Sequence, residues 1–514
     1  MEASVGKGAG VRRGAPAESR VGRAARRYAA VQSACVRRGI GGRGRRRDVT
    51  DPEPEHPGTR SAGGNLTRRQ TVGYALGSLG TGGFGVVPGL LLAYYLTDTL
   101  AVAAGLAGAV VLVPKLWDVL IAPAIGRMTD RTLMARGDRR PWLLAGAAAL
   151  PVAFALTFLT PGALSGDAAA AWVVVFFLLA ATGYGVFQVP YVTMPTEMTA
   201  DPAERTTITA WRIAMLTVGI LLFGVTAPIL VTVGGEGRGG YALMGIVLGC
   251  GIAAGMVGAW LGTRGIRTVR VGEVTGTIRS QLRAAAGNRP FVALLAAFVL
   301  QAVASGAMLA AAPYFAQYHL GDDGLTSVLF ACLVGPALVT MPLWHRVAGL
   351  VGKRRGYVLA TLVFAAGALG LTAGGSLPAL GVYALVAVVG VGYAGTQMFP
   401  LAMLPDTLAD DARRTGASRA GIFTGVWTAG ETVGLALGPF VVVSVVLGLS
   451  GYVSASGDET VAQPASALQA ITWSMSLVPA ACALLSIVFV LAHRPPDDGG
   501  SGHAGGGEPV GRGG

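Results

Sequence analysis

Two charged residues interrupt an otherwise apolar run between residues 102 and 125. Lys115 and Asp118 lie three residues apart in this run. A charge at the bilayer centre costs about 2.5–3.5 kcal/mol on insertion scales, so such residues usually face the protein interior and are functional. Their spacing puts them on one helix face, where each partly neutralises the other. Asp118, shielded from water, is a candidate proton carrier; the alternative is a permanent ion pair with Lys115 or Arg212 that holds helices together.

Other polar side chains in apolar runs are candidates for the same site. Glu431 is a second carboxyl group and a candidate second proton site. Arg212 is a candidate partner of the substrate or of Asp118, and a structural role is the alternative. Gln188 carries donors and an acceptor that suit a sugar hydroxyl, although a helix–helix hydrogen bond is the alternative. Candidates for the second half of a binding cavity, each with packing as its alternative, are Gln301, Gln317 and Gln397.

The composition indicates a membrane protein. Of 514 residues, 52% are hydrophobic and only 13% are charged, against about 25% charged in a typical soluble protein. The 78 glycines suit closely packed membrane helices. The four cysteines are scattered singly and predict neither a metal site nor a disulfide framework. The net charge of +13 does not indicate nucleic-acid binding, because the charge lies in residues 1–66 and in short loops.

Apolar runs of about 20 residues recur from Thr71 onward, and each is long enough to cross about 30 Å of hydrocarbon. They lack the alternation of a membrane barrel, so helices are expected. The sequence predicts an all-α membrane protein with twelve transmembrane helices, near residues 71–97, 102–127, 141–161, 170–193, 207–233, 240–263, 290–318, 325–347, 356–374, 377–402, 420–449 and 468–492.

Basic residues are concentrated in every second loop. The other loops (98–101, 162–169, 234–239, 319–324, 375–376 and 450–467) contain Arg238 as their one Lys or Arg. The positive-inside rule then predicts a multi-pass plasma-membrane protein with both termini in the cytoplasm. Residues 1–66 are expected to be a disordered basic cytoplasmic extension, either without function or bound to anionic lipid headgroups. Residues 494–514 are expected to be a disordered Gly-rich cytoplasmic tail.

The two halves of the chain share landmarks six helices apart. Residues 137–145 resemble 352–360, and 195–206 resemble 405–415. These pairs predict two parallel six-helix bundles, residues 67–263 and 290–493, joined by a cytoplasmic linker over 264–289. In such repeats the binding site lies near the membrane midplane, between the halves. Charged residues at the loop ends are predicted cytoplasmic gate residues: Asp130, Arg131, Arg139, Arg140, Asp406 and Arg419.

Four stretches together resemble one family. They are Tyr94-Tyr95-Leu96-Thr97-Asp98; Lys115-Leu116-Trp117-Asp118 through Arg139-Arg140-Pro141; Gln188-Val189-Pro190-Tyr191 with Glu197, Asp201, Glu204, Arg205 and Arg212; and Pro405-Asp406 through Arg419-Ala420-Gly421. The chain resembles the major facilitator superfamily, and within it the glycoside–pentoside–hexuronide:cation symporters of the melibiose-carrier type. The resemblance implies the major facilitator fold and sugar transport driven by a cation.

The sequence also departs from that family pattern at binding positions. In the cation site, the second acid, an amide and a hydroxyl are replaced by Ala122, Ile121 and Gly185. The sugar-binding acids correspond to Gly82 and Gln188. The lysine of the eleventh helix corresponds to Thr432, next to Glu431. Because sodium needs several oxygen ligands and Asp118 alone remains, the expected coupling ion is a proton, with no metal or other cofactor.

These features predict a secondary active transporter and not an enzyme. The expected reaction is proton-coupled symport of a small polar organic solute, a sugar or glycoside, by alternating access. Alternatives are efflux of an amphipathic compound and uncoupled facilitation. Enzyme signatures such as HExxH are absent from the sequence, and its five histidines are not clustered. The expected partners are a small-molecule substrate and the lipid bilayer, without nucleic acid, and the expected functional unit is a monomer.

Overall fold

The computed structural model describes residues 66–199, 201–266, 283, 285–415, 420–455 and 461–492. These residues form helices joined by short connections, and no β-strand occurs among them. The predicted N-terminal extension (apart from residue 66), the C-terminal tail and most of the predicted linker lie outside the described residues, so those predictions stay predictions.

The described part of the chain contains twelve helices that are long and apolar enough to cross a membrane, as predicted. We number them in chain order: α1 Arg68–Leu92, α2 Ala104–Arg136, α3 Arg140–Phe158, α4 Gly166–Met198, α5 Ala203–Val233, α6 Gly237–Gly262, α7 Arg289–Leu320, α8 Thr326–Val351, α9 Lys353–Ser376, α10 Ala379–Thr415, α11 Gly421–Leu447 and α12 Ala465–Ala492.

Three helices extend well beyond their predicted apolar ends at residues 127, 193 and 402. The helices α2, α4 and α10 continue to Arg136, Met198 and Thr415. Hydropathy detects only the part of a helix that lies in hydrocarbon, and here the helical backbone continues into a polar sequence. Gly137 ends α2 with a left-handed φ of 72° and donates its N–H to the Leu133 carbonyl, as expected for a glycine that follows a helix.

Packing between helices repeats across the two halves. In the first half α3 packs on α4 and α6, α1 on α5 and α6, and α2 on α4. In the second half α9 packs on α10 and α12, α7 on α11 and α12, and α8 on α10. Each pair in one half therefore has its equivalent six helices later. This repetition confirms the predicted pair of six-helix bundles.

Glycine allows one of these equivalent pairs, α1 with α5 and α7 with α11, to pack closely. A Cβ at Gly438 would lie 2.3 Å from the Ala307 nitrogen, where α11 crosses α7. In the equivalent pair of the first half, a Cβ at Gly219 on α5 would lie 2.6 Å from the Leu79 carbonyl oxygen on α1. Backbone therefore packs directly on backbone at both crossings, as small residues permit in membrane helices.

Hydrogen bonds join the two halves at one end of the bundle. We call the end with residues 137–139 the basic end, and the end where α1 leads into α2 the Asp98 end. At the Asp98 end, Ala101 donates its N–H to the Ala455 carbonyl at 2.9 Å, and Ala455 donates its own to the Thr97 carbonyl at 2.9 Å. Ser454 Oγ donates to the Val102 carbonyl at 2.7 Å. These bonds close the Asp98 end.

Candidate substrate and proton site

Helix α2 positions Lys115 and Asp118 inside the bundle. Two prolines, Pro114 and Pro123, flank this part of the helix. Lys115 Nζ lies 5.0 Å from the centroid of the Phe84 ring on α1, as a cation–π contact. Lys115 and Asp118 interact electrostatically, yet they are not among the ion pairs of 4.0 Å or less that the described residues form. Asp118 is therefore not locked to its lysine neighbour in this state.

Tyr184 on α4 lies within electrostatic range of charged residues from both halves. It interacts electrostatically with Asp118 and Arg212 in the first half and with Glu431 on α11 in the second. Its ring centroid lies 5.0 Å from that of Phe84, the ring beneath Lys115. The sequence did not identify Tyr184, because a tyrosine in an apolar run is usually a packing residue. Its position four residues before Gln188, on the same helix face, was the available signal.

Arg212 and Gln188 each present a buried polar atom without a hydrogen-bond partner in the described residues, Nε and Oε1 respectively. The Arg212 guanidinium lies 5.8 Å from the Tyr191 ring centroid. Because buried polar groups are nearly always paired, unpaired atoms beside a central charged site are available to a ligand. The substrate roles of both residues stay predictions.

The second half contributes Glu431 and a tyrosine that the sequence also missed. Tyr393 on α10 interacts electrostatically with Glu431 and hydrogen-bonds to Gln397. Gln301 is fully buried and donates Nε2 to Thr396 Oγ1 at 3.0 Å, which joins α7 to α10. Gln317 lies in the last, π-helical turn of α7, at the Asp98 end. The structure thus brings Gln397 to the central charges and places Gln317 away from them.

Gly185 and Ile121, which stand where the family has cation ligands, lie near Asp118. A Cβ at Gly185 would lie 3.2 Å from Asp118 Oδ1 and 3.8 Å from Ile121 Cδ1. The position therefore faces the carboxyl group, but it supplies no oxygen. Among the residues that the structure describes, no group of three or more His, Cys, Asp or Glu side chains could hold a metal ion.

At Gly82, where the family has a sugar-binding acid, backbone of a neighbouring helix occupies the space that a side chain would need. A Cβ there would lie 2.7 Å from the Leu216 carbonyl oxygen, whereas one at Gly85 would meet nothing within 4 Å. We expect Gly82→Ala to destabilise the protein by roughly 1–3 kcal/mol through overpacking. Thermal unfolding in detergent checks this, with Gly85→Ala as the matched control. Equal melting temperatures for the two variants would contradict the contact between α1 and α5.

The predicted gate residues form ion pairs within each half. At the basic end Arg139, which is 8% exposed, contacts Asp130 at 2.5 Å and Glu197 at 2.9 Å. It also donates Nη1 to Thr129 Oγ1 at 3.0 Å. This cluster joins α2, α3 and α4. Glu197 was not among the predicted gate residues, although it lies in a stretch that resembles the family.

The remaining gate residues that the structure describes are more exposed, and those that bond do so within their own half. Arg140 donates Nη2 to the Trp260 carbonyl at 2.9 Å, and Arg131 is exposed. In the second half Asp406 pairs with Lys353 at 2.5 Å. Lys353 is the second residue of 352–360, which repeats 137–145, so the internal repeat was the signal that could have identified it. Arg419 lies outside the described residues, and its predicted role stays a prediction.

The fold and the site define a class of protein: a membrane transporter made of two equivalent halves around a central polar site. The family model described as MFS/sugar transport protein matches residues 73–493, which is most of the chain. The chain belongs to this family of major facilitator transporters. This confirms the predicted fold class and family, and it confirms that the protein is a transporter and not an enzyme.

Individual proteins agree with this assignment. The chain is 30% identical over 265 residues to the putative glycoside/cation symporter YagG of Escherichia coli K12, a match that covers 51% of this chain and 57% of the relative. It is 27% identical over 433 residues to the glucuronide carrier protein homolog of the same organism, covering 83% and 92%. The crystal structure of a D-xylose–proton symporter superposes with a TM-score of 0.59 at 14% identity, covering 83% of this chain and 98% of that one.

Proposed function

We propose that the protein carries a sugar or glycoside across the plasma membrane by proton-coupled symport. The observation that supports this most directly is Tyr184, which interacts with Asp118 and Arg212 of one half and with Glu431 of the other. A ligand bound there would lie within electrostatic range of both halves, in keeping with a site between them in an alternating-access transporter. The names of the relatives, a glycoside/cation symporter and a glucuronide carrier homolog, support a carbohydrate substrate.

The surroundings of Asp118 favour a proton over sodium. Gly185 and Ile121 lie against or near its carboxyl group without contributing an oxygen, and Ala122, in place of the family's second acid, also lacks one. Lys115 supplies a nearby positive charge, which further disfavours a metal cation. A single carboxyl group needs no other ligand to take up and release a proton.

The orientation is part of the same proposal. Basic residues cluster at the basic end, so the positive-inside rule puts that end and both termini in the cytoplasm. The Asp98 end then faces the outside, and the hydrogen bonds at that end close the site to the exterior in this state. We expect a monomer in the lipid bilayer to be the working unit.

Uptake by purified protein in proteoliposomes tests the proposal across a panel of radiolabelled glycosides and hexuronides. With acid outside and a more alkaline lumen, at least one sugar is expected to accumulate above its external concentration. An inward sodium gradient at uniform pH is expected to drive no accumulation. Equilibration without accumulation would indicate an uncoupled facilitator. If no sugar is taken up, while an amphipathic compound is moved outward, the efflux alternative replaces the proposal.

A further inference from the structure

A buried carboxyl group closes the Asp98 end. Asp98, which follows α1 in the π-helical turn Tyr95–Thr99, is 9% exposed. Asp98 Oδ1 accepts hydrogen bonds from the hydroxyls of Tyr318 at 2.8 Å and Tyr452 at 2.6 Å. Both tyrosines belong to the second half. Asp98 therefore joins the first half to two side chains of the second half. We call Asp98, Tyr318, Tyr452 and Thr97 the Asp98 cluster.

The partners of Asp98 are neutral hydroxyls. Thr97 Oγ1 lies 2.5 Å from Asp98 Oδ2 and 2.8 Å from the Tyr314 hydroxyl. It also reaches the Ala93 carbonyl at 3.2 Å and the Tyr94 carbonyl at 3.3 Å. The threonine has one proton for several acceptors. If it donates to a helix carbonyl, the short contact with Oδ2 requires a proton on the carboxyl group, which the geometry accommodates.

No Lys, Arg or His side chain pairs with Asp98 among the described residues. The titratable groups that face it are Tyr314, Tyr318 and Tyr452 from the second half. Other nearby groups are directed elsewhere: Arg238 on α6 donates to the Pro161 and Leu164 carbonyls, and His319 on α7 bonds to Thr472. Asp167 at the start of α4 is exposed.

Burial raises the pKa of the Tyr452 hydroxyl, and negative charge on Asp98 raises it further, so this donor stays neutral.

We propose that Asp98 is a second proton-binding site, separate from Asp118, that takes up a proton as the Asp98 end closes. In the open state the carboxyl group meets water and stays ionised even in mildly acidic solution. In the closed state it is buried among hydroxyls without a counter-ion, where the neutral acid is the better-tolerated form. Its placement outside rests on the orientation in the proposed function, whereas the proton-linked closure depends only on the Asp98 cluster.

The direction of the pH effect follows from the two states. Burial raises the pKa of Asp98 from its ordinary 3.8 to about 6 in the closed state, although hydrogen bonds from Thr97, Tyr452 and Tyr318 oppose the shift. The closed state thus binds more protons than the open state between these two values. Acid therefore favours closure, and this contribution is lost as the pH rises through about 6. Between pH 8 and pH 5, the ratio of closed to open protein is expected to rise about tenfold.

A distance measurement between the halves tests this linkage. Spin labels are placed at the Asp98 end on two exposed residues, one per half, through Gly162→Cys and Ser376→Cys, with the native cysteines replaced. Electron–electron distances are measured in lipid nanodiscs from pH 5 to pH 8. The background carries Asp118→Asn, so that protonation of the central carboxyl group does not contribute. The short, closed distance is expected to gain about tenfold over the longer one as the pH falls.

Variants of the cluster separate a proton switch from a structural contact. Asp98→Asn resembles the protonated acid and is expected to remain closed at every pH. Tyr452→Phe removes one donor and is expected to weaken closure while keeping the pH dependence. A pH-independent distance distribution in the protein with native Asp98 overturns the proposal, as does an unchanged pH dependence in Asp98→Asn. Neither result bears on sugar uptake, so failure here is distinguishable from failure of the proposed function.

Discussion

Asp118→Asn is expected to abolish accumulation of substrate driven by a proton gradient while preserving exchange of substrate across the membrane. The amide keeps nearly the shape of the acid but cannot bind and release a proton. The proton gradient can therefore no longer drive transport through this residue. Gln188 and Arg212, the predicted substrate-binding residues on α4 and α5, are unchanged in this variant, so substrate binding is expected to persist. Proton-driven accumulation is expected to fall at least about tenfold, since the coupled step is lost and not merely slowed.

Two assays in the same proteoliposomes separate coupling from binding. Accumulation is measured with acid outside, and exchange is measured with labelled substrate outside and unlabelled substrate inside. The matched control is Asp167→Asn, which removes an exposed carboxyl group at the start of α4 and is expected to behave like the native protein. If Asp118→Asn still accumulates substrate, Asp118 is not the coupling residue, and Glu431 becomes the carboxyl group to test.

The number and pairing of the helices were predictable because each depends on a property that the sequence carries directly. A span needs about 20 apolar residues whatever its neighbours are, and a duplicated bundle leaves paired landmarks such as 137–145 and 352–360. The helix ends were not predictable to the same degree. The helices α2 and α10 continue through polar residues to Arg136 and Thr415. In such polar sequence, hydropathy no longer distinguishes helix from loop.

The central site was predictable only for residues that are unusual in lipid. Asp118, Arg212 and Glu431 stand out because a charged side chain in hydrocarbon is costly, which makes such residues functional candidates. Tyr184 and Tyr393 do not stand out, since an aromatic residue in an apolar helix is ordinary. Their importance comes from their proximity to these charges, which only the packed helices reveal.

Asp98 shows a different limit of sequence reasoning. It ends a family motif at the edge of an apolar run, where a charged residue is expected to meet water. Its burial comes from Tyr318 and Tyr452, which are more than 200 residues away along the chain. A proton-binding role therefore becomes visible only when the two halves are assembled, and it concerns one state of the transporter.

Arg139→Gln is expected to cost about 3–5 kcal/mol of stability, the largest loss among single substitutions at the basic end. The reason is Glu197, which is 4% exposed and pairs with Arg139 at 2.9 Å. Without the guanidinium, a buried carboxylate remains uncompensated between α2, α3 and α4. Thermal unfolding in detergent measures the loss, and Arg131→Gln, at an exposed arginine on α2, is the matched control.

A double-mutant cycle identifies the source of that loss. Glu197→Gln removes the charge that Arg139 compensates, so the pair of substitutions is expected to cost less than the sum of the single ones. If the costs instead add, Arg139 stabilises the fold independently of Glu197, through Asp130 or Thr129. All four residues belong to the first half, so the cluster would stiffen that half as a rigid body. Opening and closing at the basic end would then depend on contacts other than this ion pair.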